Sequence, residues 1–83
     1  MKPITPRTLK RMLEKCGYKL VAQDDCCWIM ENNGHPAVIS QTMELIPLDM
    51  LESILGPAGI DEKAFVDLLA SIEPPLAATV KQK

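Results

Sequence analysis

Long apolar runs are absent from this sequence, whose uninterrupted apolar stretches are only a few residues long. A helix that crosses a bilayer needs about 20 such residues in succession. Residues 1–8 also contain no apolar run of the kind that marks a signal peptide. We therefore expect a cytoplasmic protein that makes no contact with a membrane.

Cysteine and histidine are both scarce. The three cysteines are Cys16, Cys26 and Cys27, and His35 is the single histidine. Three cysteines cannot all pair within one chain, and adjacent cysteines rarely form a disulfide with each other. A redox pair or a metal site is possible in principle, but the spacing fits no recognised zinc pattern. We favour ordinary core packing for Cys16 and Cys27 and expect no disulfide scaffold, no metal and no cofactor.

Positive charge is scarce outside the first quarter of the chain. Residues 1–19 carry six lysine and arginine residues and one acid, whereas the other 64 residues carry three lysines and ten acids. The net charge is −2 and the isoelectric point is about 5.2. This balance excludes a protein that coats nucleic acid generally, but it leaves room for one local basic surface at the N-terminus.

The chain has 83 residues, of which 47% are apolar and 24% charged, as in a single soluble globular domain. A domain of this size buries only about 60 to 65% of its unfolded surface, so any functional site should be shallow. We expect one domain over residues 1–73. Residues 74–83 are predicted to form a flexible tail, because terminal polar residues without packing partners seldom order.

The first predicted element is a helix over residues 6–16. Thr5 is a good N-cap, Pro6 at the first helical position loses no hydrogen bond, and Gly17 supplies a stop. Apolar residues recur between them at the spacing of one helical face, namely Leu9, Met12, Leu13 and Cys16.

Cations occupy the other side of this helix. Arg7, Arg11 and Lys15 are spaced four residues apart and form one stripe, with Lys10 beside it. These four residues are our candidate RNA-binding residues, although a solvated helix face is an equally good interpretation of the charge alone. So few phosphate contacts would support only weak, salt-sensitive binding.

A three-stranded antiparallel meander is predicted next. The strands are expected at residues 18–23, 26–31 and about 37–41. Asp24-Asp25 favours a turn between the first two strands, and Asn33-Gly34 is a strong hairpin signal between the last two.

Two helices should complete the fold. Pro47 opens the first, which Gly56 closes. Asp61 is a good N-cap for the second, where Ile60 and Phe65 have the spacing of a hydrophobic staple. The order helix, three strands, two short helices predicts an α+β fold, an α-β-β-β-α two-layer sandwich with the helices on one sheet face.

The second strand is apolar on both faces. Cys26, Trp28 and Met30 share one face, while Cys27 and Ile29 share the other. Helices can cover only one of them, and the alternation does not say which. The apolar set left over predicts a homodimer or a protein partner on the open sheet face, with Cys26, Trp28 and Met30 as candidate contacts. Alternatively, sheet twist and the C-terminal tail cover Trp28 within the chain.

Three segments occur in this order: LEKCGYKLVAQ at the end of the first helix, the hairpin NNGHP, and LDMLESILGPAGIDEKAFVDLL. Together they resemble the HicA family of toxin–antitoxin proteins, also called YcfA-like, in a match that covers most of residues 7–70. The resemblance implies a fold similar to a double-stranded-RNA-binding domain. It also implies a metal-independent ribonuclease that cuts messenger RNA, with one histidine in a Gly-Ser-His motif at the start of the second strand, and an antitoxin as its partner.

The catalytic signature of that family is missing here. The corresponding residues are Asp25-Cys26-Cys27, so that Cys27 stands at the histidine position, and ISQT after the third strand also departs from the family pattern. A thiol, with an ordinary pKa of about 8.5, is a poor proton acceptor at neutral pH, and loss of a general acid–base group costs about 10²- to 10⁴-fold in rate. We therefore expect a non-catalytic module that binds RNA or a protein partner. The alternative is an active ribonuclease with an atypical site that uses Cys27 or His35.

Overall fold

The computed structural model describes residues 2–72 of the chain. It contains three helices and three strands in the predicted order: α1 (Pro6–Lys15), β1 (Lys19–Gln23), β2 (Cys27–Asn32), β3 (His35–Ser40), α2 (Leu48–Leu55) and α3 (Glu62–Ile72). The predicted α+β fold is confirmed. The predicted tail over residues 74–83 lies outside the described residues. None of the helices in residues 2–72 has both the length and the apolar character needed to cross a membrane.

Helix α1 begins and ends where its capping residues predict. Thr5 Oγ1 accepts a hydrogen bond from the Thr8 backbone N–H at 3.2 Å, and Pro6 occupies the first turn. The helix ends at Lys15 with Cys16 as its C-cap, after which Gly17 adopts a φ of 100°, a left-handed conformation that glycine tolerates best. The Tyr18 backbone N–H then donates to a carbonyl of the last turn, as in a Schellman motif.

The sheet has the order β1-β2-β3, and both pairings are antiparallel. Asn33 and Gly34 have φ values of 52° and 83°, which is the pattern of a type I′ turn and fixes the β2–β3 register. In β1 the register shifts between Leu20 and Ala22, where a bulge leaves Val21 without a direct partner.

The helices cover the sheet face that carries Trp28 and Met30. Met30 and Ile39 have no exposed surface, whereas Val38, which lies between the inward residues of β3, is 52% exposed. Met30 pairs with Ala37 across the sheet, and Trp28 pairs with Ile39. The expectation that Met30 contacts a partner does not hold, because this side chain is fully enclosed in the core.

The core therefore lies between this sheet face and the three helices. Helix α1 packs against α3 and β3. An isolated antiparallel bridge between Ile4 and Ile46 ties the segment before α1 to the loop before α2. The fully buried side chains are Leu9, Met12, Leu13, Met30, Ile39, Ile46, Leu51, Leu55 and Phe65.

Helix α3 begins with the predicted cap and staple. Asp61 Oδ1 accepts a hydrogen bond from the Ala64 backbone N–H at 2.9 Å. Ile60 before the cap and Phe65 in the first turns are both buried, as a hydrophobic staple requires. Helix α3 thus packs against α1, while the side of α1 that carries Arg7 and Arg11 stays exposed.

Candidate functional site

A groove of about 310 Å³ lies between α1 and the first two strands. Helix α1 supplies one wall and the covered face of the sheet supplies the other. The lining residues are Arg7, Lys10, Arg11, Glu14, Leu20, Gln23 and Trp28.

Helical and strand periodicity place these side chains together. Arg7, Lys10, Arg11 and Glu14 follow one another at intervals of three, one and three residues, which puts them along one side of α1. Asn32 Nδ2 donates to the Cys16 carbonyl at 3.3 Å, so the C-terminal end of α1 lies at the hairpin end of β2. The N-terminal half of α1 consequently lies beside the start of β2.

Trp28 forms the aromatic part of the groove and is in contact with a cation. Lys10 Nζ lies over its ring, 5.7 Å from the centroid, within the range of a cation–π interaction. The same nitrogen is 2.7 Å from Glu14 Oε2, in an ion pair between side chains one turn apart. Trp28 itself is half-buried and packs against the core.

The remaining cations of α1 are open to solvent. Arg7, Arg11 and Lys15 are exposed, and none of them forms an ion pair with another residue of the described part of the chain. Arg7 and Arg11 belong to the groove at Trp28. Lys15 lines a neighbouring groove of about 340 Å³ between α1 and α3. The structure thus brings together three of the four predicted RNA-binding residues and sets Lys15 to one side.

The Asp24 turn carries the two adjacent cysteines. Asp24 Oδ1 accepts hydrogen bonds from the backbone N–H groups of Cys26 and Cys27, both at 2.8 Å. These two bonds stabilise the carboxylate and lower the pKa of Asp24 below its ordinary value. Cys26 is exposed in the turn, and Cys27 is half-buried at the start of β2. By strand alternation Cys27 lies on the open sheet face, opposite the groove with its cations.

The single histidine lies at the other end of the sheet from Cys27. His35 is exposed and pairs with Asn32 beside the hairpin turn, whereas Cys27 pairs with Ser40. At a rise of about 3.3 Å per residue, the intervening strand positions separate the two sites by roughly 16 Å. The structure therefore does not bring Cys27 and His35 together.

Cys16, the third cysteine, belongs to no group of metal-ligating side chains among the described residues. Cys16 caps α1 and packs against the core, and its burial raises the pKa of the thiol above its ordinary value. Within residues 2–72 no group of three or more histidine, cysteine, aspartate or glutamate side chains is arranged to hold a metal ion.

Sequence reasoning did not place Leu20 and Gln23 in a site. Simple alternation puts these two residues on opposite faces of β1, whereas the bulge between Leu20 and Ala22 brings both to the face of Met30 and Trp28. The ion pair of Lys10 and Glu14, by contrast, has a visible signature in the spacing of four residues.

No protein-family model, curated protein or solved structure matches this chain. The resemblance to HicA proteins accordingly rests on the short segments named above and on the order of the helices and strands.

Proposed function

We propose that this chain is a small HicA-like RNA-binding domain that acts without cutting RNA. The observation that carries the proposal is the groove in which Arg7, Lys10 and Arg11 surround Trp28. Cations contact phosphates, and an aromatic ring beside them offers a base a stacking surface, a combination typical of nucleic-acid-binding sites. The α-β-β-β-α fold is compatible with the double-stranded-RNA-binding fold that the resemblance implies.

The number of cations sets the expected strength of binding. Three neutralised phosphates correspond to a slope of roughly −2 to −3 in a plot of log K against log salt. The rest of the chain is acidic, so long-range attraction is weak and binding should be confined to this groove. We expect modest affinity that falls steeply with salt.

The placement of the candidate proton-transfer groups supports a non-catalytic role. A general base must lie within hydrogen-bond reach of the proton that it removes. Cys27 lies on the sheet face opposite the cations, and His35 lies at the hairpin turn, four strand positions or roughly 13 Å from Ile39, which pairs with Trp28 of the groove. RNA held in the groove would have neither side chain beside its phosphates.

The test of RNA binding is fluorescence anisotropy with a labelled hairpin RNA that contains a duplex and a loop. The double variant Arg7→Gln/Arg11→Gln should weaken binding at least tenfold and reduce the magnitude of the salt slope by about 2. Lys19→Gln/Lys63→Gln is the matched control, because it also removes two positive charges and both lysines are exposed cations outside the groove. Equal affinity for the double variant and the control would refute the proposal.

The absence of cleavage is tested separately. Purified protein is incubated with a structured messenger RNA, with and without a chelator, beside a Cys27→Ala variant. We expect the RNA to stay intact in every reaction. Cleavage by the unmodified protein that disappears in Cys27→Ala would show that the thiol is catalytic and would support the alternative of an atypical ribonuclease.

A second candidate function uses the open sheet face. Ile29 pairs with Val38 and with Ala22 across the sheet, and Val38 and Val21 are both more than half exposed. We propose this apolar strip as the contact for a second copy or for an antitoxin-like protein. Sedimentation should show a dimer that Val38→Lys dissociates. A monomer at all accessible concentrations would exclude the homodimer.

A further inference from the structure

Trp28 is the aromatic residue of the described chain that is available to a ligand. The sequence contains one tryptophan, one tyrosine and one phenylalanine. Tyr18 is 5% exposed and Phe65 is 1% exposed, and both belong to the core. Trp28 keeps part of its indole in the groove, beside Arg7 and Arg11. Within residues 2–72, the accessible surface of these aromatic side chains therefore lies mainly in the groove that carries Arg7, Lys10 and Arg11.

The cation–π contact between Lys10 and the Trp28 ring is weak. Lys10 lies over the indole and is held by Glu14, but this ion pair is solvent-exposed, and such pairs contribute little. A base can therefore displace the Lys10 ammonium from the ring, since stacking of a base on an aromatic side chain replaces the cation–π contact. The displaced ammonium then becomes free to bind the phosphate of the same nucleotide.

The groove has the size and the polar groups for one unpaired nucleotide. Its volume of about 310 Å³ is at the small end of the range for small-molecule sites, too small for a double helix. Paired bases keep their faces inside the duplex, whereas unpaired bases can turn out and stack on a protein ring. The Gln23 amide, also in the groove, has a donor and an acceptor with which to contact the edge of a base.

We propose, on the basis of the RNA-binding function proposed above, that this groove selects single-stranded RNA by stacking an unpaired base on Trp28. Arg7 and Arg11 hold the flanking phosphates, and Lys10 moves from the ring to the phosphate of the stacked nucleotide. Fully paired RNA then binds more weakly than an unpaired strand of equal charge, because its bases cannot enter the groove.

Three RNA probes test this inference: an unstructured oligonucleotide of sixteen residues, an abasic strand with the same number of phosphates, and a blunt duplex of eight base pairs, which contains the same number of nucleotides. Because Trp28 is the only tryptophan, intrinsic fluorescence of the unmodified protein reports the groove alone. The unstructured strand should quench this emission and bind about tenfold more tightly than the abasic strand or the duplex.

Two variants of Trp28 test whether a loss of RNA affinity comes from lost base stacking or from a folding defect. Trp28→Leu should lose about tenfold in affinity for the unstructured strand and nothing for the abasic strand, whereas Trp28→Phe should keep most of the affinity. Trp28→Phe is the matched control because it keeps an aromatic ring at the same position, and circular dichroism establishes that each variant is folded. If Trp28→Leu does not fold, the quenching and the comparison of probes with the unmodified protein still decide the question.

The outcomes distinguish this inference from the proposed function. Equal binding of the abasic and unstructured strands, or tighter binding of the blunt duplex, would overturn the stacking inference while leaving RNA binding in place. Failure of all three probes and of the hairpin RNA to bind would refute the proposed function itself.

Discussion

Among the residues that the structure describes, Glu14 is the single acid that lines the groove at Trp28, and its removal should strengthen RNA binding. Its carboxylate holds Lys10 Nζ at 2.7 Å and places a negative charge where a phosphate would approach Arg11. Glu14→Gln keeps the size of the side chain but removes the charge. The variant therefore frees one cation and abolishes one repulsion.

The magnitude follows from simple electrostatics. Two unit charges about 7 Å apart in water interact by about 0.6 kcal/mol, which corresponds to roughly threefold in affinity. Lys10 is already one of the three phosphate-binding cations, so its release from Glu14 strengthens an existing contact and steepens the salt slope by less than about 1. We therefore expect Glu14→Gln to bind RNA about three- to tenfold more tightly at low salt, with the gain shrinking as salt is added.

Stability should hardly change in the same variant. An exposed ion pair one turn apart contributes about 0.3 to 0.5 kcal/mol, and the order lysine before glutamate is the weaker one. Glu14 also lies in the last turn of α1, where a negative charge opposes the helix dipole, so its removal returns a similar amount. The free energy of unfolding in urea should stay within about 0.5 kcal/mol of the parent.

The assay compares anisotropy titrations of the parent, Glu14→Gln and Glu52→Gln over a range of salt. Glu52 is an exposed acid on α2 and lies outside the groove, so its variant has the same net charge without the local effect. Tighter binding by both variants to the same extent would show a general charge effect, and no gain for Glu14→Gln would refute the placement of RNA in this groove.

Three further predictions concern stability and thiol reactivity. Met30→Ala should lower the free energy of unfolding in urea by about 2 to 5 kcal/mol and Val38→Ala by less than about 1 kcal/mol, because Met30 is in the core and Val38 is exposed. Equal losses would contradict the assignment of the covered sheet face. The pKa of Asp24 is lower in the folded chain than its ordinary 3.8, so its stabilising effect is complete above that pH and is lost as pH falls through the folded value. Asp24→Asn should therefore flatten the acid dependence of thermal unfolding, and an unchanged profile would contradict this. Iodoacetamide should modify exposed Cys26 before Cys16, whose pKa is raised by burial, as mass spectrometry of digested protein can show; the reverse order would be inconsistent with the structure.

The sequence predicts those parts of the fold that depend on local signals. Thr5 and Pro6 define the start of α1 through a side-chain cap and a fixed backbone angle, and both effects act within one turn. Asn33 and Gly34 define the β2–β3 hairpin because both tolerate a positive φ. Such signals need no knowledge of the rest of the chain, which is why the order and approximate bounds of all six elements are predicted correctly.

The covered face of β2 could not be predicted, because both of its faces are apolar and alternation alone treats them as equivalent. Long-range packing determines which face of β2 the helices cover. Met30 lies opposite the small, buried Ala37 on the covered face, whereas Ile29 lies opposite the exposed Val38 on the other face. That same choice turns Trp28 toward α1 and Cys27 away from it. The residues that line the groove between α1 and the sheet therefore depend on which face of β2 packs against the helices. Had the faces been exchanged, Cys27 would lie beside the α1 cations and Trp28 would lie on the open face.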